Sequence, residues 1–264
     1  MRLRAEHGSR RIGARSPWQG VLLVLFLLIG CEQAPPEIAE LSGRTMGTSY
    51  SIKLSPAPSG SRLTELQNSV ERRLETINRQ MSTYRPDSDL MRFNHSASID
   101  WQAQPAAVVE LVERASAVSV LSDGRYDITV GPLVNLWGFG NSGERDTAPA
   151  AQEIHDTLAR VGYRQLETRQ EPPALKKSHP QLEIDLSSIA KGWAVDQVAE
   201  LVRSAGFSDF LVEIGGELRA SGQKVPGIPW RIAVEQPSYE TRVIQRVIAL
   251  HDVAMATSGD YRNF

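Results

Sequence analysis

Three short stretches of this chain could do chemistry. Ser188-Ile189-Ala190-Lys191 has the S-x-x-K spacing, which puts a hydroxyl and an ammonium on one helical face, where a lysine of lowered pKa would take the serine proton and make an acyl-transfer nucleophile. Enzymes built that way also need S-x-N and K-T-G elements downstream, and neither occurs between Gly192 and Phe264. The same segment reads a second way. Glu183 to Leu186 resembles a strand carrying Asp185, and Ser187-Ser188 open a helix, so backbone N–H groups and a positive dipole end would face an anionic phosphate, with Lys191 one turn in as a point charge. Asp185 with carbonyls of the turn would suit a hard cation such as Mg²⁺, which takes oxygen ligands and keeps waters and substrate phosphates in its shell. A nucleotide pyrophosphate is the ligand that this chemistry takes. The plain alternative is an N-capped helix, with Ser187 or Ser188 as cap and Asp185 as dipole partner. The third stretch, Gly138-Phe139-Gly140-Asn141-Ser142-Gly143, satisfies G-x-G-x-x-G. That fingerprint must open a helix directly, whereas Glu144 to Pro149 is polar and contains proline, so we read a glycine-rich loop.

The elements that must position these residues follow from periodicity. After Ser61, apolar residues recur at Leu63, Leu66, Val70, Leu74, Ile77 and Met81, the spacing of an amphipathic helix. Pro105 to Leu121 repeats the pattern, Ala151 to Val161 gives a shorter helix before Gly162, and Ile189 to Ala205 a long one before Gly206. Glycine just past a helix is its expected stop. Thr45 to Leu54 alternates as a strand. Further strands are predicted at Tyr126 to Val130, Leu182 to Leu186, Phe210 to Ile214, Glu217 to Ser221, Trp230 to Glu235, Val243 to Leu250 and Val253 to Thr257. The last five run together, with Gly215-Gly216 as a tight hairpin, so the C-terminal half reads as a largely antiparallel meander behind one helix. This makes the chain α+β. The polar stretch from Arg169 to Pro180 reads as a surface loop.

Composition narrows the function classes. The 264 residues hold 29 Lys+Arg against 31 Asp+Glu, which argues against a nucleic-acid binder held by a basic face. One cysteine excludes an internal disulfide and any Cys-built metal site, and the five histidines show no H-x-x-x-H pairing. Charge is concentrated at the start, where Arg2, Arg4, Arg10, Arg11 and Arg15 precede nine apolar residues from Val21 to Ile29. Nine is too few to span a bilayer, so residues 1–30 read as a secretory signal. Leu28-Ile29-Gly30-Cys31 resembles the lipobox of bacterial lipoproteins, which makes Cys31 a lipid anchor. Residues 31–42, with Pro35-Pro36 and no periodicity, read as a tether, and the folded part is expected from Gly43 to Phe264.

Several separated segments resemble one family. Thr45-Met46-Gly47-Thr48, Met81-Ser82-Thr83-Tyr84 with Arg92-Phe93-Asn94, and the run from Asp127 to Gly140 are similar to the ApbE family of FAD:protein FMN transferases. Asp185 to Gly192, Val212 to Glu217 and Thr257 to Phe264 continue the resemblance in order. It implies an ApbE-like (T-fold-like) domain of antiparallel sheets and packed helices. It also implies transfer of FMN from FAD, with Mg²⁺, onto a Thr or Ser hydroxyl of an acceptor protein, with release of AMP. Acceptors in the family include subunits of the sodium-pumping NADH:quinone reductase and of Rnf complexes, and many members are lipoproteins at the periplasmic face of a membrane. By position, the resemblance makes Met46, Tyr84, Arg125, Tyr126, Asp127, Asp185 and Lys191 contacts of FAD, and Ser188 a metal ligand through its carbonyl. The family pattern continues to a Ser-His-(apolar)₂-Asp-Pro-x-Thr-Gly motif that holds a proton acceptor and further metal ligands. This chain stops at Phe264 before it, so the catalytic group is expected beyond Phe264 in a longer protein. A non-catalytic FAD-binding lipoprotein is the alternative for a chain that ends there.

Overall fold

Antiparallel strands β1 (Ala39–Thr45) and β2 (Thr48–Ser55) form a hairpin, with Thr45 opposite Thr48 across a Met46-Gly47 turn. The computed structural model that shows this describes residues 36–140, 143, 145–238 and 243–259. The Cys31 anchor, the signal before it and Asp260 to Phe264 lie outside the described residues. Where the sequence suggests one strand from Thr45, there are two, and β1 starts at Ala39, inside the expected tether. Leu41 explains this earlier start, because its side chain is buried in the main core.

Helix α1 (Gly60–Met81) follows, and it buries the predicted stripe of Leu66, Val70, Leu74, Ile77 and Met81. Each such side chain contributes about 1.5–3 kcal/mol on leaving water. Next come α2 (Asp89–His95), β3 (Gln102–Ala103), α3 (Ala106–Leu121), a 3₁₀ turn (Ile128–Val130), α4 (Gly131–Leu136) and α5 (Ala151–Leu158). Strands β4 (Leu166–Arg169) and β5 (Ala174–Lys177) pair with β3 in the order β3-β5-β4. Helix α6 (Ser187–Ser204) leads to β6 (Asp209–Ile214), β7 (Glu217–Ser221), β8 (Gln223–Val225), β9 (Ile228–Glu235), β10 (Ile244–Leu250) and β11 (Ala254–Met255).

The main sheet runs β1-β2-β6-β7-β11, so the first strands of the chain pair with strands from its last third, Ile52 opposite Val212. Helices α1 and α6 pack on each other and on this sheet. The other side of β6 and β7 carries a smaller cluster of Leu211, Leu218 and Ala220 with Trp230 and Leu250. The expected meander is thereby divided, since β8, β9 and β10 form a sheet of their own. Among the described residues no helix is long and apolar enough to cross a membrane.

Two predicted strands and one predicted loop are corrected. Ile128 to Val130 is a 3₁₀ turn because the Asp127 carboxylate accepts the Thr129 N–H at 2.8 Å and the Thr129 hydroxyl at 2.7 Å, which curls the backbone. Leu182 to Leu186 joins no ladder. Its backbone is satisfied by the side-chain amide of Asn94 and by the Ile128 carbonyl. The stretch from Arg169 to Pro180 contributes β5 to a sheet, and there Ala174, Leu175 and Lys177 are buried.

Candidate functional site

Two adjoining cavities open beside the amino end of α6. The larger, about 910 Å³, is walled by Met46 and Gly47 of the β1–β2 turn, by Glu75, Asn78 and Met81 of α1, by Ser82 to Arg85, and by Ser187, Ala190 and Lys191 of α6. The smaller, about 310 Å³, is walled by Asn94, Asp127, Gly131, Asn135, Phe139, Gly140 and the run Glu183-Ile184-Asp185 with Ser187 and Ser188. Thr83, Tyr84 and Ser187 line both. The space has the size and the mixed lining of a nucleotide-sized ligand site.

Met46 occupies a position that a turn usually gives to Asn or Gly. Its φ is 49° and that of Gly47 is 73°, the left-handed pair of a type I′ hairpin. A methionine held there stores strain of about 1 kcal/mol or more, and it places a polarizable thioether, packed on the core, in the cavity wall. Asn78 steadies the turn from α1 by donating to the Thr45 hydroxyl at 3.1 Å. Tyr84 stands where the cavities meet, 76% exposed, so its ring is available to stack on a planar ligand.

The first turn of α6 carries the charged groups. Asp185 Oδ1 accepts the Ser187 N–H at 2.7 Å, and the Asp185 N–H donates to the Ile128 carbonyl at 2.7 Å. The N-cap position itself is Leu186, so neither serine caps the helix and Asp185 serves one of its first amides. Lys191 turns away from Ser188. Its ammonium lies 2.9 Å from Glu217 Oε2 and donates to the Gly215 carbonyl at 3.3 Å, while the Ser188 hydroxyl pairs with the Tyr126 hydroxyl at 3.0 Å. The serine–lysine dyad of an acyl-transfer enzyme is therefore not assembled. Lys191 instead rests on the hairpin of β6 and β7, whose two glycines have φ of 55° and 98° and sit against Thr48 and Thr257. A Cβ on Gly215 would come within 2.7 Å of the Thr48 side chain.

Six of the predicted contacts, Met46, Tyr84, Asp127, Asp185, Ser188 and Lys191, share these walls. Tyr126 reaches them through its bond to Ser188. Asp127 is also a structural hub, because its Oδ2 accepts the Tyr163 N–H at 2.8 Å while Oδ1 holds Thr129. Arg125 lines neither cavity, and its guanidinium donates to the Ser122 carbonyl in the turn after α3. The glycine-rich loop is a wall too. A Cβ on Gly140 would come within 1.9 Å of Asn135 Oδ1, so glycine lets the loop fold back on α4, and α5 begins only at Ala151.

Sequence reasoning missed Glu75 and Arg85, which pair at 2.7 Å in the larger cavity. Glu75 holds the Arg85 pKa above its ordinary value. It also missed Asn135 and Glu183, joined at 3.3 Å in the smaller one. Among the described residues, no three His, Cys, Asp or Glu side chains converge as a metal cluster. The Asp185 carboxylate, in the wall of the smaller cavity, is an oxygen donor that suits Mg²⁺ only as part of a shell shared with waters and substrate phosphates.

A sequence profile of the ApbE family matches residues 46–264. The FAD:protein FMN transferase of Vibrio cholerae is 46% identical over 247 residues, which is 94% of this chain and 73% of that protein. The transferase of Haemophilus influenzae is 38% identical over 92% of this chain and 71% of its own length. Among solved structures, the flavin transferase ApbE from Vibrio cholerae superposes with a TM-score of 0.80 at 45% identity, over 87% of this chain and 74% of that one. The apo flavinyl transferase ApbE of Pseudomonas stutzeri gives 0.77 at 37% identity, over 88% and 74%. By profile, identity and fold, this chain belongs to the ApbE family.

Proposed function

We propose that this chain is an FAD:protein FMN transferase, moving FMN from FAD to a hydroxyl of an acceptor protein. The observation that carries the reading is the convergence of Met46, Tyr84, Asp185 and Lys191 on one pair of cavities in a chain 46% identical to a transferase of that name. In the reaction, a Thr or Ser oxygen of the acceptor attacks the phosphorus on the FMN side of the pyrophosphate. A new P–O bond forms, the bridging P–O bond breaks, AMP leaves with the bridging oxygen, and the hydroxyl proton passes to a base.

Each wall has a part in this. The Tyr84 ring and the Met46 thioether offer flat, polarizable contact to an isoalloxazine or adenine ring. Lys191 and the amino end of α6 attract the pyrophosphate. Asp185, at the same helix end, would repel it. Asp185 and the Ser188 carbonyl would hold a Mg²⁺ ion, which when bound would offset that repulsion and neutralise charge on the leaving AMP. Glu217 and the Gly215 carbonyl hold the Lys191 ammonium in place before substrate arrives. The Cys31 lipid anchor and a periplasmic location belong to the same reading and rest on the sequence before residue 36. A flavin-carrying subunit of a membrane electron-transfer complex, of the sodium-pumping NADH:quinone reductase or Rnf kind, is the partner class.

The test is direct. The full-length protein is incubated with FAD, Mg²⁺ and such an acceptor domain, and the acceptor is weighed intact. The expected product is heavier by one FMN less one water, and it forms with stoichiometric AMP only when a divalent cation is present. FAD retained with no change in acceptor mass would replace the transferase reading with that of a flavin binder. Acylation of Ser188 by a penicillin would restore the acyl-serine reading.

A further inference from the structure

Lys177 ends β5, inside the stretch whose polarity predicts a surface loop, yet it is 0% exposed. An apolar side chain of similar length would fill that space without taking a charge out of water. The ammonium instead donates to three backbone carbonyls, those of Phe93 and Asn94 at 3.2 Å each and that of Leu182 at 3.0 Å, with the Phe93 ring centre 5.1 Å away. The first two lie in the last turn of α2, where carbonyls run out of intrahelical donors. The third opens the extended segment that leads to Asp185.

Asn94 takes over where Lys177 stops. Its side-chain amide donates to the Ile184 carbonyl at 2.9 Å and accepts the Ile184 N–H at 2.8 Å, which imitates a strand neighbour for a segment that has none. The next amide, that of Asp185, goes to Ile128 at 2.7 Å. Burial pushes the Lys177 pKa below its ordinary value, and the Glu183 carboxylate works against that shift. Lys177 lines neither of the two cavities, so its influence on the site has to pass through the backbone that it grips.

We propose that Lys177 is a positioning residue of the flavin site: with Asn94 it clamps residues 182–184 to the end of α2 and thereby sets where Asp185 and the first turn of α6 stand. The inference rests on the FAD reading given above. Lys177→Met in the full chain removes the three donors and nearly keeps the volume. Without FAD, amide hydrogen exchange at Ile184 and Asp185 is expected to rise about tenfold or more, while α1 and β6 keep their protection. With FAD, the Kd from fluorescence quenching is expected to rise about tenfold and kcat to fall along with it. Lys177→Gln, which keeps an amide donor, should recover part of both, and it carries the test if the Met variant does not fold. Unchanged exchange at 184–185 would overturn the clamp, and faster exchange with an unchanged FAD Kd would overturn the positioning role. A wild-type chain that binds no FAD would remove the flavin reading and the positioning role together, while the exchange comparison would still report on the clamp itself.

Discussion

Strands β6 and β10 are both antiparallel, come from the same third of the sequence and are similarly apolar, but they meet different surroundings. β6 lies inside the main sheet between β2 and β7 and buries Phe210, Leu211, Val212 and Ile214, so both of its faces are covered. β10 leaves Ile244 61% and Val247 50% exposed and buries only Leu250. The side of the main sheet that packs on α1 and α6 also bears the Met46 turn, the Gly215-Gly216 hairpin and Lys191. The fold thus concentrates its packing where charged and aromatic groups must be held still, and leaves a thinner layer, built on Trp230, at the far side.

The contrast can be broken most sharply at Phe210. Phe210→Ala should lower stability by about 4 kcal/mol, as full truncation of a packed aromatic does, seen as a shift of the urea midpoint; a loss under about 1 kcal/mol would mean that β6 is not the centre of the fold. Lys191→Ala should come next. It removes a preplaced charge and should reduce transfer, or FAD affinity in single-turnover assays, by about a hundredfold; unchanged activity would take Lys191 out of the site. Ser188→Ala should cost less than about 1 kcal/mol in transfer, since it loses one hydroxyl pair with Tyr126 and keeps the backbone carbonyl. A large loss would show that the hydroxyl itself acts. The alkaline limb of stability sharpens the contrast further. Because the folded Lys177 has a lowered pKa, the unfolded chain binds the extra proton in the window below the ordinary value of 10.5. Stability of the wild type relative to Lys177→Met should therefore rise with pH through that window. A falling difference would mean that the site favours the ammonium over the amine. Val247→Ala on β10 should change stability by no more than about 0.5 kcal/mol, and a larger loss would show that this face is covered in solution.

What could be read in advance was whatever is local. The three long helices declare themselves because α1 repeats its apolar stripe over 22 residues, and the Gly-Gly hairpin because glycine is the residue that tolerates its φ. Met46-Gly47 hid a turn, since methionine is no signal for a left-handed residue. The segments around Ile128 and Ile184 have strand-like composition, but their backbones are claimed by the side chains of Asp127 and of Asn94, the latter 90 residues distant in sequence, and no local pattern announces that. The same holds for Lys177, polar in a polar stretch and yet at the bottom of the fold. Around the cavities, Met46, Tyr84, Asp127, Asp185, Ser188 and Lys191 could be named from motifs, while Glu75, Arg85, Asn135 and Glu183 could not, because they pair with each other across α1, α4 and the loops. Arg125 stands apart from both cavities, adjacent in sequence to residues that line them but turned toward the Ser122 carbonyl at its own helix end.

The pairing of β2 with β6 has a consequence in time. On a ribosome adding about 5–20 residues per second, Ile52 is made roughly ten seconds or more before Val212 exists to pair with it. The first hairpin must wait with one edge unmatched, and the sheet closes only when most of the chain has emerged. A topology of such long sequence separation folds slowly and late, which gives any translocation or chaperone machinery an interval in which the chain is still threadable.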